Sequence, residues 1–303
     1  MSLVERALSK LKDERVTGVA GDVAARVAGP APSNVGTTLP AMPAPSVAVS
    51  GARRPVKAMA VDREALRAAG MLPPEHLQWR LANEYRRIKR PLLRVAGASG
   101  GDAAGAGPLV MVASALPGEG KSFTTMNLAF SISLEPDVTA LLVDADVANP
   151  FISRTFGVER EPGLIDVLRD ASLVADDVII ATDVPGLSIL PAGQPVDTAV
   201  ELLGSARMRE VTRQLEGSAS RRLVLFDSPP LLLTNESRVL CDMVGQILLV
   251  VRAGVTERSA VAQALGLLPA EKPVNLVLNQ AVAGAADVYY GYGEYGSYPA
   301  RST

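Results

Sequence analysis

The chain has 303 residues, a formal net charge of −2 and 48% hydrophobic residues, which suits one large domain or two modest ones. The small net charge provides no electrostatic basis for binding nucleic acid, so none is predicted as a partner. One cysteine, Cys241, excludes a disulfide framework or a cysteine-based zinc site, and one histidine, His76, argues against a histidine triad. No apolar run approaches the roughly 18 residues of a membrane span and no signal peptide is recognisable, so we expect a cytoplasmic protein.

Residues 1–18 are predicted to contain an amphipathic helix. Ser2 and Glu5 have capping-box spacing, and one helical face collects Leu3, Val4, Ala7, Leu8 and Leu11. Such a helix would either pack on its own protein or bind a membrane surface or a partner, and the sequence leaves both interpretations open. Residues 19–57 are rich in alanine and proline without helical or strand periodicity, so they are predicted to form a disordered, flexible linker.

Residues 58–107 are predicted to be a helical segment that ends in a glycine-rich connector. A short helix over 62–69 should end at Gly70, and a second should follow Pro73 and Pro74, because proline is tolerated at a helix start. The second helix carries the pattern E-x-x-R-x-x-R, formed by Glu84, Arg87 and Arg90. Its connector, 97–107, is predicted to be flexible.

Residues 108–282 alternate strand-like apolar runs with helical patterns. The predicted strands lie within 108–114, 139–146, 187–193, 221–230, 245–254 and 273–280. Most of these runs are apolar on both faces, which is typical of a parallel sheet with helices on each side. The predicted fold class is therefore α/β, a doubly wound and mostly parallel sheet. The loop ALPGEGKS, 115–122, follows the first of these strands and indicates a sheet of the P-loop NTPase type.

A phosphate-binding loop is predicted at 115–122, which reads ALPGEGKS between a strand and a helix. Backbone N–H groups and the helix N-terminus would hold the β-phosphate of ATP, Lys121 would place a charge near the β- and γ-phosphates, and Ser122 would bind Mg²⁺. The alternative is a simple glycine-rich turn. The predicted ATP-binding residues are Pro117, Gly118, Glu119, Gly120, Lys121, Ser122 and Phe123.

Three carboxylates follow predicted strands. Asp144 and Asp146 end the run LLVDAD, and Asp227 ends RLVLFD, so all three should face the ligand crevice at the carboxyl edge of the sheet. A single aspartate there is usually a helix cap or a loop residue. Because no buried lysine or arginine is predicted to pair with these three, we expect a divalent cation. The predicted metal ligands are Ser122, Asp144 and Asp227, and the predicted catalytic residues are Lys121, Asp144 and Asp146.

Residues 283–303 are predicted to be a flexible tail, which holds five of the six tyrosines. A phenol has a pKa of about 10, so phosphoryl transfer to it needs a base, and Asp144 or Asp146 could serve. The alternative is a tail that serves only association. The predicted phosphate acceptors are Tyr289, Tyr290, Tyr292, Tyr295 and Tyr298.

Together these features resemble the bacterial tyrosine kinases, or BY-kinases, which are P-loop kinases of exopolysaccharide and capsule export. The resemblance covers about 84–303 and includes ALPGEGKS, LLVDAD, GLIDVL, LPAG, ELL, LFDSPP and the tyrosine cluster. The SLVERALSKL start, the linker and the wording DADVA look most like the exosortase-associated autokinase branch.

The resemblance implies autophosphorylation of the tail with ATP and Mg²⁺, mainly between subunits of a ring that packs through the helix of Glu84, Arg87 and Arg90. It also implies a separate membrane-anchored partner of the polysaccharide chain-length (co-polymerase) type, which recruits the chain to the inner face of the plasma membrane.

One departure from the family pattern is Ala148, where many members carry arginine; Arg154 is a candidate substitute.

Two other functions stay open. A partitioning or division-site ATPase would leave the tyrosine tail and E-x-x-R-x-x-R unexplained, and it usually has a second lysine early in the P-loop, which this chain lacks. The second alternative function is a non-catalytic scaffold that binds nucleotide within the export machinery.

Overall fold

The computed structural model describes residues 57–97, 107–217 and 221–281. The predicted N-terminal helix, nearly all of the predicted linker and the predicted tyrosine-rich tail lie outside these residues. The described part forms one eight-stranded sheet with helices on both faces, and the predicted fold class is confirmed. Among the helices of this part, none has the length and apolar composition to cross a membrane.

The strands are β1 Ala58–Met59, β2 Leu109–Ser114, β3 Thr139–Asp144, β4 Ile180–Thr182, β5 Leu187–Leu190, β6 Arg222–Asp227, β7 Gln246–Arg252 and β8 Val274–Asn279. The helices are α1 Arg63–Ala68, α2 Gln78–Gly97, α3 Lys121–Ser133, α4 Phe151–Thr155, α5 Leu164–Arg169, α6 Ala175–Val178, α7 Ala199–Leu203, α8 Ala206–Gly217, α9 Asn235–Met243 and α10 Arg258–Gly266. All six predicted strands are present, whereas β1 and β4 were not predicted.

The strand order across the sheet is β1-β4-β5-β3-β6-β2-β7-β8. Every neighbouring pair is parallel except β4 with β5, which is antiparallel. Strand β6 lies between β2 and β3, and its register places Asp227 directly beside Asp144. The loop that follows β2 and the carboxylates that end β3 and β6 therefore meet at one edge of the sheet.

The side chains of the central strands alternate between two separate cores. Met111 on β2 and Phe226 on β6 pack in one core, while their neighbours Val112 and Leu225 pack in the other. All four side chains are fully buried. This alternation is the period of two of a strand, and burial on both faces explains why the strands read as continuous apolar runs.

Helix α2 packs on α3 and belongs to the core of the sheet. Its Tyr85 and Leu92 are buried in the same core as strand residues. Its buried Lys89 donates to the carbonyl of Ser131 at 2.5 Å and pairs with a carboxylate oxygen of Glu135 at 2.7 Å. The described residues of the 58–107 segment thus share the core of the α/β sheet, and β1 adds a strand to it.

The two motifs GLIDVL and LPAG form a single packing unit. The N–H of Leu164 donates to the carbonyl of Pro191 at 2.8 Å, and the N–H of Ile165 donates to that of Ala192 at 3.0 Å. Gly163 lies so close to this backbone that a Cβ there would overlap the Pro191 carbonyl. The predicted strand over 187–193 ends at Leu190 because the following residues make these contacts with α5 instead.

We expect Gly163→Ala to lower the free energy of unfolding by about 2 kcal/mol, because the obstacle is backbone that cannot move aside cheaply. The matched control is Gly266→Ala at the end of α10, where an added Cβ meets nothing within 4 Å. That change should be neutral or stabilise by up to about 1 kcal/mol. Urea titration of both variants measures the difference, and equal effects would contradict this packing.

Candidate nucleotide-binding site

The predicted phosphate loop connects β2 to α3, as the sequence indicated. Gly118 and Gly120 both have positive φ, at 77° and 90°, a region that other residues enter only at a cost. Helix α3 begins at Lys121, directly after Gly120. Because the first N–H groups of a helix have no acceptor within it, this loop presents donors and the positive end of the helix dipole to an anion.

Phe123 is the last of the predicted ATP-binding residues. Its side chain is partly buried, and it lines an apolar groove of about 540 Å³ together with Leu72, Leu77 and Leu81 from the segment around the start of α2. The aromatic ring therefore contributes to the packing of α3 beside the loop.

Lys121 pairs with the strand-end carboxylates. Its ammonium nitrogen lies 3.1 Å from a carboxylate oxygen of Asp146 and 3.8 Å from one of Asp227. The expectation that no buried cation would pair with these aspartates was wrong, since the Lys121 side chain is only 13% exposed. Burial acts to lower the pKa of Lys121, but the charges of Asp227 and Asp146 outweigh it and raise the pKa.

Asp227 is fully buried, and hydroxyl groups of α3 donate to both of its oxygens. Ser122 donates to one oxygen at 2.7 Å, and Thr125, one turn later, donates to the other at 3.0 Å. Burial raises the pKa of Asp227, while Lys121 and the two hydroxyl donors act in the opposite direction. The phosphate loop and the end of β6 are thus joined through polar contacts that a cation could enter.

Asp144 is also fully buried, and its two oxygens differ. The N–H and the hydroxyl of Ser153 both donate to Oδ2 at 2.7 Å, while Oδ1 has no hydrogen-bond partner among the described residues. Burial, followed by the neighbouring charge of Asp227, raises the pKa of Asp144 to about 7. The unpartnered Oδ1 is therefore a buried acceptor for a cation or a proton.

These residues fit Mg²⁺ held jointly with phosphate. In the described part of the chain, no group of three or more His, Cys, Asp or Glu side chains could hold a metal ion by itself. Mg²⁺ characteristically uses one or two carboxylates together with substrate phosphates and water. Asp144 Oδ1 and the Ser122–Asp227 pair supply such a partial set of ligands.

Three hydroxyl residues that support carboxylates of the site were not predicted from the sequence. Thr125 holds Asp227, Ser153 holds Asp144, and Thr256 donates to the side chain of Glu119 in the phosphate loop. Only Thr125 carried a local signal, since it lies one helical turn after Lys121 on a helix already predicted. The other two belong to separate segments that only the tertiary fold brings near.

The remaining predicted residues lie apart from the phosphate loop or outside the described part. Glu84, Arg87 and Arg90 occupy an exposed face of α2, where Glu84 pairs with Arg80 at 3.4 Å. Ala148 is exposed, and the guanidinium of the candidate substitute Arg154 donates to the side chain of Asn149 at 2.5 Å. The five predicted acceptor tyrosines fall outside the described residues.

We expect Asp144→Asn to raise the melting temperature of the nucleotide-free protein at pH 8 by several degrees. The pKa of this carboxyl is about 7 in the folded protein and about 3.9 in an unfolded chain. The folded state therefore binds the proton more tightly than the unfolded chain. The stability of the wild-type protein falls as the pH rises from the unfolded pKa to the folded pKa. The gain from asparagine should shrink at pH 5, where the folded wild-type carboxyl is protonated.

Thermal unfolding at both pH values measures this difference, with Asp197→Asn on the exposed surface as the control. A gain that is the same at pH 5 and pH 8 would contradict the raised pKa.

The chain is similar in sequence to bacterial tyrosine-protein kinases. It is 34% identical over 155 residues to tyrosine-protein kinase YwqD of Bacillus subtilis, covering 51% of this chain and 64% of the relative. It is 30% identical over 184 residues to tyrosine-protein kinase etk of Escherichia coli K12, covering 60% of this chain and 25% of the relative. The chain thus spans less than two thirds of either curated relative. No protein-family model matches it.

A solved structure of a bacterial tyrosine kinase domain is also similar to this chain. The BceF tyrosine kinase domain superposes with a TM-score of 0.57 at 25% identity, covering 71% of this chain and 86% of that domain. In sequence and in fold, the chain is similar to bacterial tyrosine-protein kinases.

Proposed function

We propose that this chain is an ATP-dependent protein-tyrosine autokinase that phosphorylates its C-terminal tyrosines, mainly between subunits, and thereby regulates exopolysaccharide polymerisation and export. One observation carries the proposal: the phosphate loop places Lys121 and Ser122 against the buried Asp227, and the buried Asp144 lies beside Asp227 at the adjacent strand end. This arrangement suits transfer of a phosphoryl group from ATP, where catalysis rests on positioning and charge neutralisation.

Each residue of the site has a distinct task in this proposal. The loop N–H groups from Gly118 to Lys121 hold the β-phosphate, and the ammonium of Lys121 moves from the carboxylates to the β- and γ-phosphates. Ser122, Asp144 and Asp227 would hold Mg²⁺, which when bound neutralises charge on the phosphates and favours the ionised form of Asp144.

The acceptor phenol must lose its proton as it attacks the γ-phosphorus. A new bond forms between the phenolic oxygen and phosphorus, the bond to the bridging oxygen of ADP breaks, and the proton passes to a carboxylate. We assign that role to Asp146, because it lies beyond the end of β3 and keeps 4% exposure, whereas Asp144 is enclosed. Lys121, which pairs with Asp146 in the absence of nucleotide, would bind the phosphates instead and leave the Asp146 carboxylate available.

The length of chain beyond β8 supports the tail as substrate. Strand β8 ends at Asn279, whose side chain contacts the phosphate loop, and Tyr289 follows ten residues later. Ten extended residues span at most about 36 Å, so the tyrosines can reach their own site or one on a neighbouring subunit. The resemblance to BY-kinases favours the neighbouring subunit, a ring assembled through α2, and activation by a separate membrane-anchored co-polymerase at the inner face of the plasma membrane.

A nucleotide-binding scaffold is the second candidate, and the exposed Ala148 favours it. At that position many BY-kinases carry arginine, and Arg154 is engaged with Asn149 rather than with the phosphate loop. A scaffold would bind Mg·ATP without producing phosphotyrosine, so the two candidates differ in their product and not in their affinity for nucleotide.

We expect Lys121→Met to abolish phosphorylation of the tail, because methionine keeps the length of the side chain but removes the charge that the phosphates require. Mass spectrometry of the purified protein after incubation with Mg·ATP measures the outcome, with Lys57→Met on the surface as the control. Phosphotyrosine in the Lys121→Met protein would refute autokinase activity. Its absence from wild type, even with the partner's cytoplasmic segment present, would favour the scaffold.

We expect replacement of Glu84, Arg87 and Arg90 by alanine to lower the oligomeric state, because their face of α2 is exposed while Tyr85 and Leu92 bury the opposite face. Light scattering measures the mass. The matched control replaces Arg209, Glu210 and Arg213, which have the same charges and are exposed on α8. An unchanged mass in the α2 variant would count against a ring built through this helix.

A further inference from the structure

Glu119 is a buried acidic side chain inside the phosphate loop, and its carboxylate faces inward to the protein. It is 2% exposed. One oxygen accepts the N–H of Leu116, at the start of the same loop, at 2.6 Å. The other accepts the hydroxyl of Thr256, in the segment between β7 and α10, at 2.5 Å. A buried carboxylate is tolerated only with such donors, so the loop depends on a residue far away in the chain.

The backbone of Glu119 is held from a third segment. The side-chain amide of Asn279, at the end of β8, donates to the Glu119 carbonyl at 2.9 Å, and its oxygen accepts the N–H of Gln280 at 2.9 Å. The same amide nitrogen lies within overlap distance of the position that a Cβ on Gly120 would take. Together with the positive φ of Gly120, this contact favours glycine at the loop residue before Lys121.

We propose that Thr256 and Asn279, acting through Glu119, are positioning residues that hold the phosphate loop in its nucleotide-binding shape. We call these three residues the loop anchor. Neither Thr256 nor Asn279 belongs to the phosphate-binding segment itself. The inference rests on the proposed function in one respect, because it takes this loop to be the site of the ATP phosphates.

The physical reason lies in the two glycines that flank Glu119. Gly118 and Gly120 both adopt positive φ, and glycine loses more conformational freedom on ordering than any other residue. A loop with this composition would otherwise sample many shapes, and a nucleotide would bear the cost of ordering it. Three hydrogen bonds to Glu119 order the loop beforehand, which strengthens binding without any contact to the ligand.

The decisive variant is Thr256→Val, which keeps the shape of the side chain and removes the hydroxyl donor. Calorimetric titration with Mg·ADP measures binding without turnover. We expect the dissociation constant to rise about tenfold, as for loss of one hydrogen bond to a charged group. In the kinase assay, the KM for ATP should rise by a similar factor while kcat changes less than twofold. Thr256→Ser keeps the hydroxyl and should restore both values to within twofold of wild type.

The matched control is Thr182→Val, because the partly buried Thr182 hydroxyl donates to the Leu187 carbonyl in the β4–β5 connection instead. It should leave the Mg·ADP dissociation constant unchanged. A purely structural role for Thr256 would lower the melting temperature without changing the affinity for Mg·ADP, and that result would overturn the proposal. Equal effects of Thr256→Val and Thr256→Ser would also overturn it.

A second pair of variants covers the case in which Thr256→Val does not fold. Glu119→Ala removes both side-chain bonds and should weaken Mg·ADP binding more than tenfold. Glu119→Gln can still accept from Leu116 and donate to Thr256, so it should bind within a few-fold of wild type. Equal binding by both would overturn the proposal. If wild type itself fails to bind Mg·ADP, the proposed function fails first, so the two failures are distinguishable.

Discussion

Two carboxylates buried side by side impose the main constraint on this site. The register of β3 with β6 pairs Asp144 with Asp227, and both are fully buried. Like charges at such a spacing, away from water, raise each other's pKa and destabilise the fold unless cations and donors surround them. The ammonium of Lys121 and the hydroxyls of nearby serine and threonine residues meet that need in the nucleotide-free protein. The negative charge of these two buried carboxylates also makes the site suitable for a divalent cation.

The fold explains why these groups meet. In a parallel sheet all carboxyl ends lie at one edge, and the insertion of β6 between β2 and β3 brings two aspartates beside the loop that follows β2. Helix α3 begins directly after this loop, so the loop N–H groups and Lys121 lie next to the carboxylates. The positions of the loop N–H groups, Lys121 and the two carboxylates are thus determined by strand order as much as by the side chains themselves.

The sequence predicted those parts of the molecule whose signals are local. Apolar runs identified the six long strands, and the spacing of ALPGEGKS identified the phosphate loop and the start of α3. The pairing of Lys121 with Asp146 and the bond from Thr256 to Glu119 were not predictable, because each joins separate elements of the chain. Ser153 is only nine residues from Asp144, but its bond depends on how the loop after β3 turns into α4, which no local pattern shows. Strands β1 and β4 were not predicted, because a strand of two or three residues is too short to show a periodic pattern. The motifs GLIDVL and LPAG carried no structural prediction of their own, and in the fold their backbones pack against each other.

Helix α3 links the phosphate loop to the surface proposed for assembly. Lys89 of α2 donates to the carbonyl of Ser131, and Asn127 of α3 donates to that of Met71, ahead of α2. These bonds, together with the buried Tyr85, fix how α2 lies on the helix that begins at Lys121. The exposed charges of α2 and the phosphate loop consequently rest on one shared core. A variant informs on assembly alone only if it leaves that buried face of α2 intact, since loss of its packing would also disturb the helix that presents Lys121.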